Sequence, residues 1–159
     1  SLFLSSCNST KRLGQTATQT SQLSHQLGFK VNRKDDLHLF AEAARWLGTP
    51  YRYGGSTRKG VDCSGLVNQI YKQVYHRSLE RSSSGIATRN CRKIMKSDLS
   101  SGDLVFFNTS RKKRNGINHV GLFLKNGYFI HASTSRGVII SNLKEDYYRK
   151  TWKQGGRVK

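Results

Sequence analysis

The stretch HVGLFLKNGYFIHAS, residues 119–133, decides the fold. Apolar and small residues alternate on both sides of Asn126-Gly127, which is the pattern of a β-hairpin. A two-residue turn would pair Leu124 with Phe129 and Leu122 with His131, mixing polar and apolar faces. A three-residue loop, Lys125-Asn126-Gly127 with Gly127 left-handed, pairs Leu124 with Tyr128 instead. That register puts Val120, Leu122, Leu124, Tyr128, Ile130 and Ala132 on one face. His119, Gly121, Phe123, Phe129, His131 and Ser133 then share the other. A slip by one residue would flip every side chain on the moved strand, so pattern consistency selects this register. In it His131 is diagonal to His119, about 7–8 Å between backbones and within reach of two rings. Gly121 is expected to leave room for them above the sheet.

Further strands are expected at Leu104–Phe107 and Val138–Ile140, where the period is two. Upstream the period is helical. Asp35-Asp36 offers an N-cap, and Leu37, Phe40, Ala41, Ala44 and Leu47 fall on one face until Gly48-Thr49-Pro50 stops the helix. A Gly- and Tyr-rich loop, residues 51–60, precedes a second helix opening near Cys63 and marked by Leu66, Val67, Ile70, Tyr71 and Val74. Residues 77–95 are less regular. Helices first and antiparallel strands afterwards make an α+β domain.

Of the three cysteines, at positions 7, 63 and 91, only Cys63 has an informative setting, Val61-Asp62-Cys63-Ser64-Gly65. At the first turn of a helix, free N–H groups and the dipole favour a thiolate. Asp62 is expected to turn away from the sulfur, to cap the helix or bind a substrate cation. A nucleophile at a helix start, a histidine on a strand and a second histidine behind it follow the nucleophile, base and orienter logic of cysteine hydrolases. A Cys/His/His metal site with Asp62 is the competing arrangement, but no H-x-x-x-H or H-E-x-x-H spacing supports it. His25, His38 and His76 read as solvated or capping residues.

Five blocks along the chain, two of them in the hairpin, carry a further signal. Gly48-Thr49-Pro50-Tyr51-Arg52-Tyr53-Gly54-Gly55, Val61 to Val67, Ser101 to Phe107, His119-Val120-Gly121 and Phe129 to Ser135 together resemble the NlpC family of papain-like bacterial cell-wall peptidases. The resemblance implies a circularly rearranged papain-like fold, with helices packed on a small antiparallel sheet. It implies cleavage of stem-peptide or cross-link amide bonds of peptidoglycan through a Cys-His-His triad and an acyl-enzyme. Carried over, Cys63 is the nucleophile, His119 the base, His131 its orienter, and Tyr51 a stabiliser of the oxyanion. Asp62 and Ser64 match positions lining the substrate pocket. No metal or organic cofactor is implied. Leu79-Glu80-Arg81 departs from the Leu-Pro-Arg of relatives, and Ile86 stands near an expected Gln, which puts pocket shape in question. An amidase or acyltransferase acting on another substrate is the alternative within the fold.

The chain has 159 residues, enough for one domain, and a net charge of +19 that predicts an anionic partner. A nucleic-acid or wall-binding protein would share that charge, but no zinc finger, RNA-binding aromatic signature or heptad repeat is present. No nucleic acid is expected; peptidoglycan stem peptides and a monomeric state are. Residues 1–6 read as the tail of a signal peptide, and Leu4-Ser5-Ser6-Cys7 resembles a lipobox, with Cys7 the lipidated residue. Residues 7–35, rich in Ser, Thr and Gln, read as a basic flexible tether, with the peptidase domain at 36–159. This arrangement anticipates a lipoprotein at the bacterial membrane facing the periplasm. A Cys7–Cys91 disulfide is the alternative use of Cys7. The basic run Arg111-Lys112-Lys113-Arg114 reads as a solvated loop or an attractor of anionic polymer.

Overall fold

The computed structural model describes residues 2–111 and 116–159, with side chains from residue 14 onward. Lys112, Lys113 and Arg114 of the basic run therefore lie outside the described residues, as does the side chain of Cys7. The fold is mixed, with helices packed on an antiparallel sheet. Helix α1 spans Leu2–Leu27 and α2 Leu37–Trp46. A small hairpin, β1 (Ser56–Thr57) and β2 (Gly60–Val61), leads into α3 (Cys63–Tyr75). A three-residue α4 (Ser83–Gly85) and a π-turn precede β3 (Cys91–Ile94). Strands β4 (Leu104–Phe107), β5 (His119–Lys125), β6 (Tyr128–Ser133) and β7 (Gly137–Asn142) follow, then α5 (Asp146–Thr151) and β8 (Trp152–Val158). The sheet order is β3-β8-β4-β5-β6-β7, each neighbour antiparallel.

The hairpin register is the expected one in its body, with Leu122 opposite Ile130 and Phe123 opposite Phe129. Its turn is different. Lys125 pairs with Tyr128, so the loop is the two residues Asn126-Gly127, both with positive φ (51° and 84°). That twisted two-residue turn suits Asn-Gly and the strands' own twist. Left alone it would impose the unfavourable register. A bulge at Leu124 adds one residue to β5 and restores the alternation. Val120, Leu122, Leu124, Ile130 and Ala132 then join the main core under the helices. Phe123 and Phe129 enter a second core with Val105, Phe107, Leu143 and Tyr148 on the opposite face. Gly121 makes room for a neighbour other than the histidines: a β-carbon there would meet the Phe129 ring at 2.7 Å.

The segment expected to be a flexible tether is helical and partly docked. Leu23, Leu27 and Val31 are buried in the main core, and Phe29 stacks on Tyr128 at 4.7 Å. The Ser24 hydroxyl accepts the Val31 N–H at 2.8 Å as the chain turns after Gly28. Lys125 then ties the connection down, donating to the Asp35 carboxylate at 2.6 Å and the Lys30 carbonyl at 3.2 Å. The folded unit thus includes residues before 36. A few apolar anchors at the end of a polar helix bury enough surface to order it, although they produce no amphipathic pattern along its length. This docking also shifts the emphasis on α2. Its deepest residues are Leu39, Phe40, Ala43 and Trp46, whereas Leu37, Ala41, Ala44 and Leu47 are partly buried. Ala41 and Ala44 face the groove shared with Leu23 of α1. Asp36 caps α2 as expected, accepting the Leu39 N–H.

Two sheet strands, β3 and β8, have little periodic signal. Gly155-Gly156 gives β8 almost no side chain in its middle, and both glycines are needed: β-carbons would meet Ile94 at 3.0 Å and Phe106 at 2.7 Å. Asp103 anchors this side, gripping Arg157 at 3.0 and 2.7 Å. Cys91 is a free thiol buried in the main core; the disulfide alternative also involves Cys7, whose side chain lies outside the described residues.

Because the α1 end is part of the core, Leu27→Ala lowers unfolding free energy by about 2–5 kcal/mol in urea titrations. A free tether would leave the midpoint unchanged.

Candidate active site

Cys63 begins α3 because Asp62 caps it, accepting the Gly65 N–H at 2.8 Å. The other Asp62 oxygen accepts the Gly54 N–H at 2.9 Å, which folds the Tyr-rich loop back over the helix start. Gly65 permits this approach, since a β-carbon there would lie 2.3 Å from the Gly55 carbonyl. The resulting pocket, about 410 Å³, is lined by Tyr51, Tyr53, Asp62, Cys63, Ser64 and Arg81, among others. The structure therefore gathers Tyr51, Asp62, Cys63 and Ser64 as the sequence implied. His119 and His131 lie on the adjoining strands.

The N–H groups of Val120, Ser64 and Cys63 point toward the Cys63 sulfur. The first of these places the thiol one residue from His119 along β5. Behind it, His119 Nε2 lies 2.9 Å from His131 Nδ1, the contact expected from the hairpin register. His131, buried at 2% exposure, turns its Nε2 to the Ser141 hydroxyl at 2.8 Å, with the Tyr148 hydroxyl at 3.3 Å. Phe129 and Tyr148 pack against its ring at 4.8 and 5.3 Å between centroids. For His119 Nδ1 to accept the thiol proton, its Nε2 must carry hydrogen and donate to His131 Nδ1. His131 Nε2 then donates to Ser141. Ser141 and Tyr148 are members of this line that sequence reasoning missed. Ser141 shares β7 with the apolar run Val138–Ile140, and only the β6–β7 register, with Phe129 opposite Ser141, brings it near His131.

The expected thiolate is not the resting form. Burial raises the Cys63 thiol above its ordinary value and Asp62 adds to the rise, outweighing the three N–H groups that favour the anion. Burial also pushes His119 down to about 4 and His131 well below its usual range, the latter helped by His119 and Arg136. Thiol and imidazole are therefore both neutral near pH 7. Burial holds Tyr51 above its ordinary value too, with Cys63 and Asp62 adding to it, so it is a proton donor beside the sulfur.

Asp62 is occupied as well as capping. Burial alone would raise its carboxyl, but the Arg81 guanidinium and the N–H groups of Gly65 and Gly54 hold it below the usual range. Arg81 meets both carboxylate oxygens at 2.9 and 3.0 Å and donates to Ser64 Oγ at 2.6 Å; Ser64 returns a bond to the Arg81 carbonyl at 2.6 Å. A substrate cation is thus not left a free Asp62, and the pocket presents a half-exposed guanidinium. Ile86, where a Gln was expected, is fully buried and contributes no polar group. No group of three or more His, Cys, Asp or Glu residues among the described residues could hold a metal ion.

Comparison with known proteins agrees with this architecture. The profile of the NlpC/P60 family matches residues 48–157. The chain is similar to the Escherichia coli protein named murein DD-endopeptidase MepS/murein LD-carboxypeptidase, 41% identical over 115 residues. That match covers 72% of this chain and 58% of that protein, so the chain spans little more than half its relative's length. A Haemophilus influenzae protein named "Probable endopeptidase" is 34% identical over 158 residues, covering 99% of this chain and 92% of that one. A solved NlpC/P60 family protein from Bacillus cereus superposes with a TM-score of 0.68 at 30% identity, over 76% of this chain and 39% of that one. The chain belongs to the NlpC/P60 family.

Proposed function

We propose that this chain is a cysteine peptidase that hydrolyses amide bonds in the stem peptides or cross-links of bacterial peptidoglycan. The observation carrying the proposal is Cys63 at the start of α3 with the Val120 N–H toward its sulfur, beside the β5 residue His119, whose Nε2 meets His131 Nδ1. The names of the relatives support peptidoglycan as the substrate class. As the Cys63 sulfur attacks the scissile carbonyl carbon, its proton passes to His119 Nδ1, and the imidazolium forms only as the C–S bond does. His131 accepts from His119 Nε2 and steadies that charge. Negative charge on the carbonyl oxygen is met by the Tyr51 hydroxyl and by N–H groups at the start of α3. The tetrahedral intermediate collapses, the C–N bond breaks, and the proton on His119 goes to the leaving amine. Water, deprotonated by His119, then hydrolyses the thioester and returns the thiol. The proposal sets the chain at the bacterial envelope facing the periplasm, with Cys7 as the point of lipid attachment.

Cys63→Ala abolishes release of muropeptide products while leaving the melting temperature within a few degrees; retained digestion of purified sacculi would end the reading. The raised thiol predicts the pH course of alkylation. In the resting enzyme, Cys63 modification by iodoacetamide keeps climbing past pH 9, because the thiolate fraction grows only as pH approaches the raised value. A plateau below pH 7 would instead mean a preformed thiolate–imidazolium pair. The third test concerns His131. Ser141→Ala lowers kcat by about tenfold or more, Ser141→Thr restores most of it, and neither shifts KM appreciably. Equal activity of all three proteins would show that Ser141 only packs.

A further inference from the structure

Most of the positive charge takes no part in the pocket beside Cys63, and one cluster of it lies on the same end of the sheet. Phe107 is paired with His119 on one side and with Trp152 on the other, so the three form one row across β5, β4 and β8. The Phe107 ring is 6.0 Å from both the His119 and the Trp152 rings. Two interstrand spacings put Trp152 about 10 Å from His119 between backbones. Trp152 borders a groove of about 480 Å³ whose walls include Lys93, Met95, Lys96 and Lys153 and no carboxylate. Lys96 lies over the Trp152 ring at 4.6 Å, and Met95 is 69% exposed. Elsewhere the buried carboxylates have their cations: Asp62 has Arg81 and Asp103 has Arg157. No ion pair among the described residues involves Lys93, Lys96 or Lys153.

We propose that this groove is a second substrate subsite, which holds the carboxylate-bearing arm of a cross-linked peptide whose scissile bond lies at Cys63. The inference rests on the endopeptidase reading above and names the substrate as the two-armed, cross-linked form. A cross-linked substrate carries peptide on both sides of the reacting bond, and each arm bears free carboxylates. Three residues of extended chain span about 10 Å, the backbone separation of His119 and Trp152; Phe107 between them is fully buried, so the arm crosses the strand ends above it. Ammonium groups on flexible stems accept carboxylates in varied poses, and Trp152 with Met95 offers an apolar floor for the peptide between them. This gives part of the charge excess a specific location and use.

The test is kinetic, using the full chain and a purified cross-linked muropeptide dimer. A second substrate is the same dimer with its carboxylates amidated. Lys93→Ala/Lys96→Ala/Lys153→Ala is expected to raise KM for the acidic dimer about tenfold with kcat unchanged. On the amidated dimer the variant and the parent should agree. Lys30→Ala/Lys72→Ala/Lys144→Ala, which removes the same charge elsewhere, should behave as the parent on both. Melting temperatures confirm that both variants are folded. An unchanged KM, the same loss on both dimers, or the same loss in the control variant would overturn the subsite while leaving the peptidase reading intact. Failure of the parent to cleave either dimer would overturn that reading, and the subsite with it.

Discussion

The contact between His119 Nε2 and His131 Nδ1 organises the rest of the molecule. It requires two residues twelve apart in sequence to meet on one face of a hairpin. That geometry depends on a single added residue. The Asn126-Gly127 turn alone would set the wrong pairing, and the bulge at Leu124 corrects it. One face of the corrected hairpin is then wholly apolar and receives α3, which brings Cys63 to Val120. The other face carries the histidines, with Phe129 filling the space over Gly121. Packing and chemistry are thus specified by the same register, and a slip would remove both.

Burial keeps Cys63, His119 and His131 uncharged at rest, which shapes the proposed chemistry. The helix start offers N–H groups to the Cys63 sulfur, yet burial and Asp62 together outweigh them. The same burial keeps both imidazoles uncharged. In the proposed mechanism charge then appears only when a carbonyl is present to receive the sulfur, where pre-oriented donors stabilise it without reorganisation. Arg81 serves the opposite purpose on Asp62, compensating a carboxylate that would otherwise sit unpaired beside Cys63.

Much of this was legible in the residues. The alternation across 119–133 revealed the faces and the His–His contact, and Asp62 announced the cap on α3. What escaped had physical reasons. Asn-Gly is a strong turn signal, but a bulge has no composition of its own, so the loop was expected one residue longer. Helix α1 is polar for most of its length; its order comes from Leu23, Leu27 and Val31 docking on a core formed by distant strands. Strands β3 and β8 hold together by pairing rather than by propensity. Ser141 and Arg81 reach the site only through tertiary contacts, ten and nineteen residues from His131 and Asp62 respectively. The preference of a helix start for a thiolate was real but smaller than desolvation.

The central claim is hydrolysis of a cross-link amide bond, with the acyl group passing to water and to no other acceptor, and isotope incorporation tests it most directly. A purified cross-linked muropeptide dimer is digested in water enriched in oxygen-18, and the products are weighed and fragmented. The account predicts cleavage of one amide bond, with one heavy oxygen in the newly formed carboxylate. An intact dimer, or products whose acyl group has passed to another acceptor without taking oxygen from water, would contradict it.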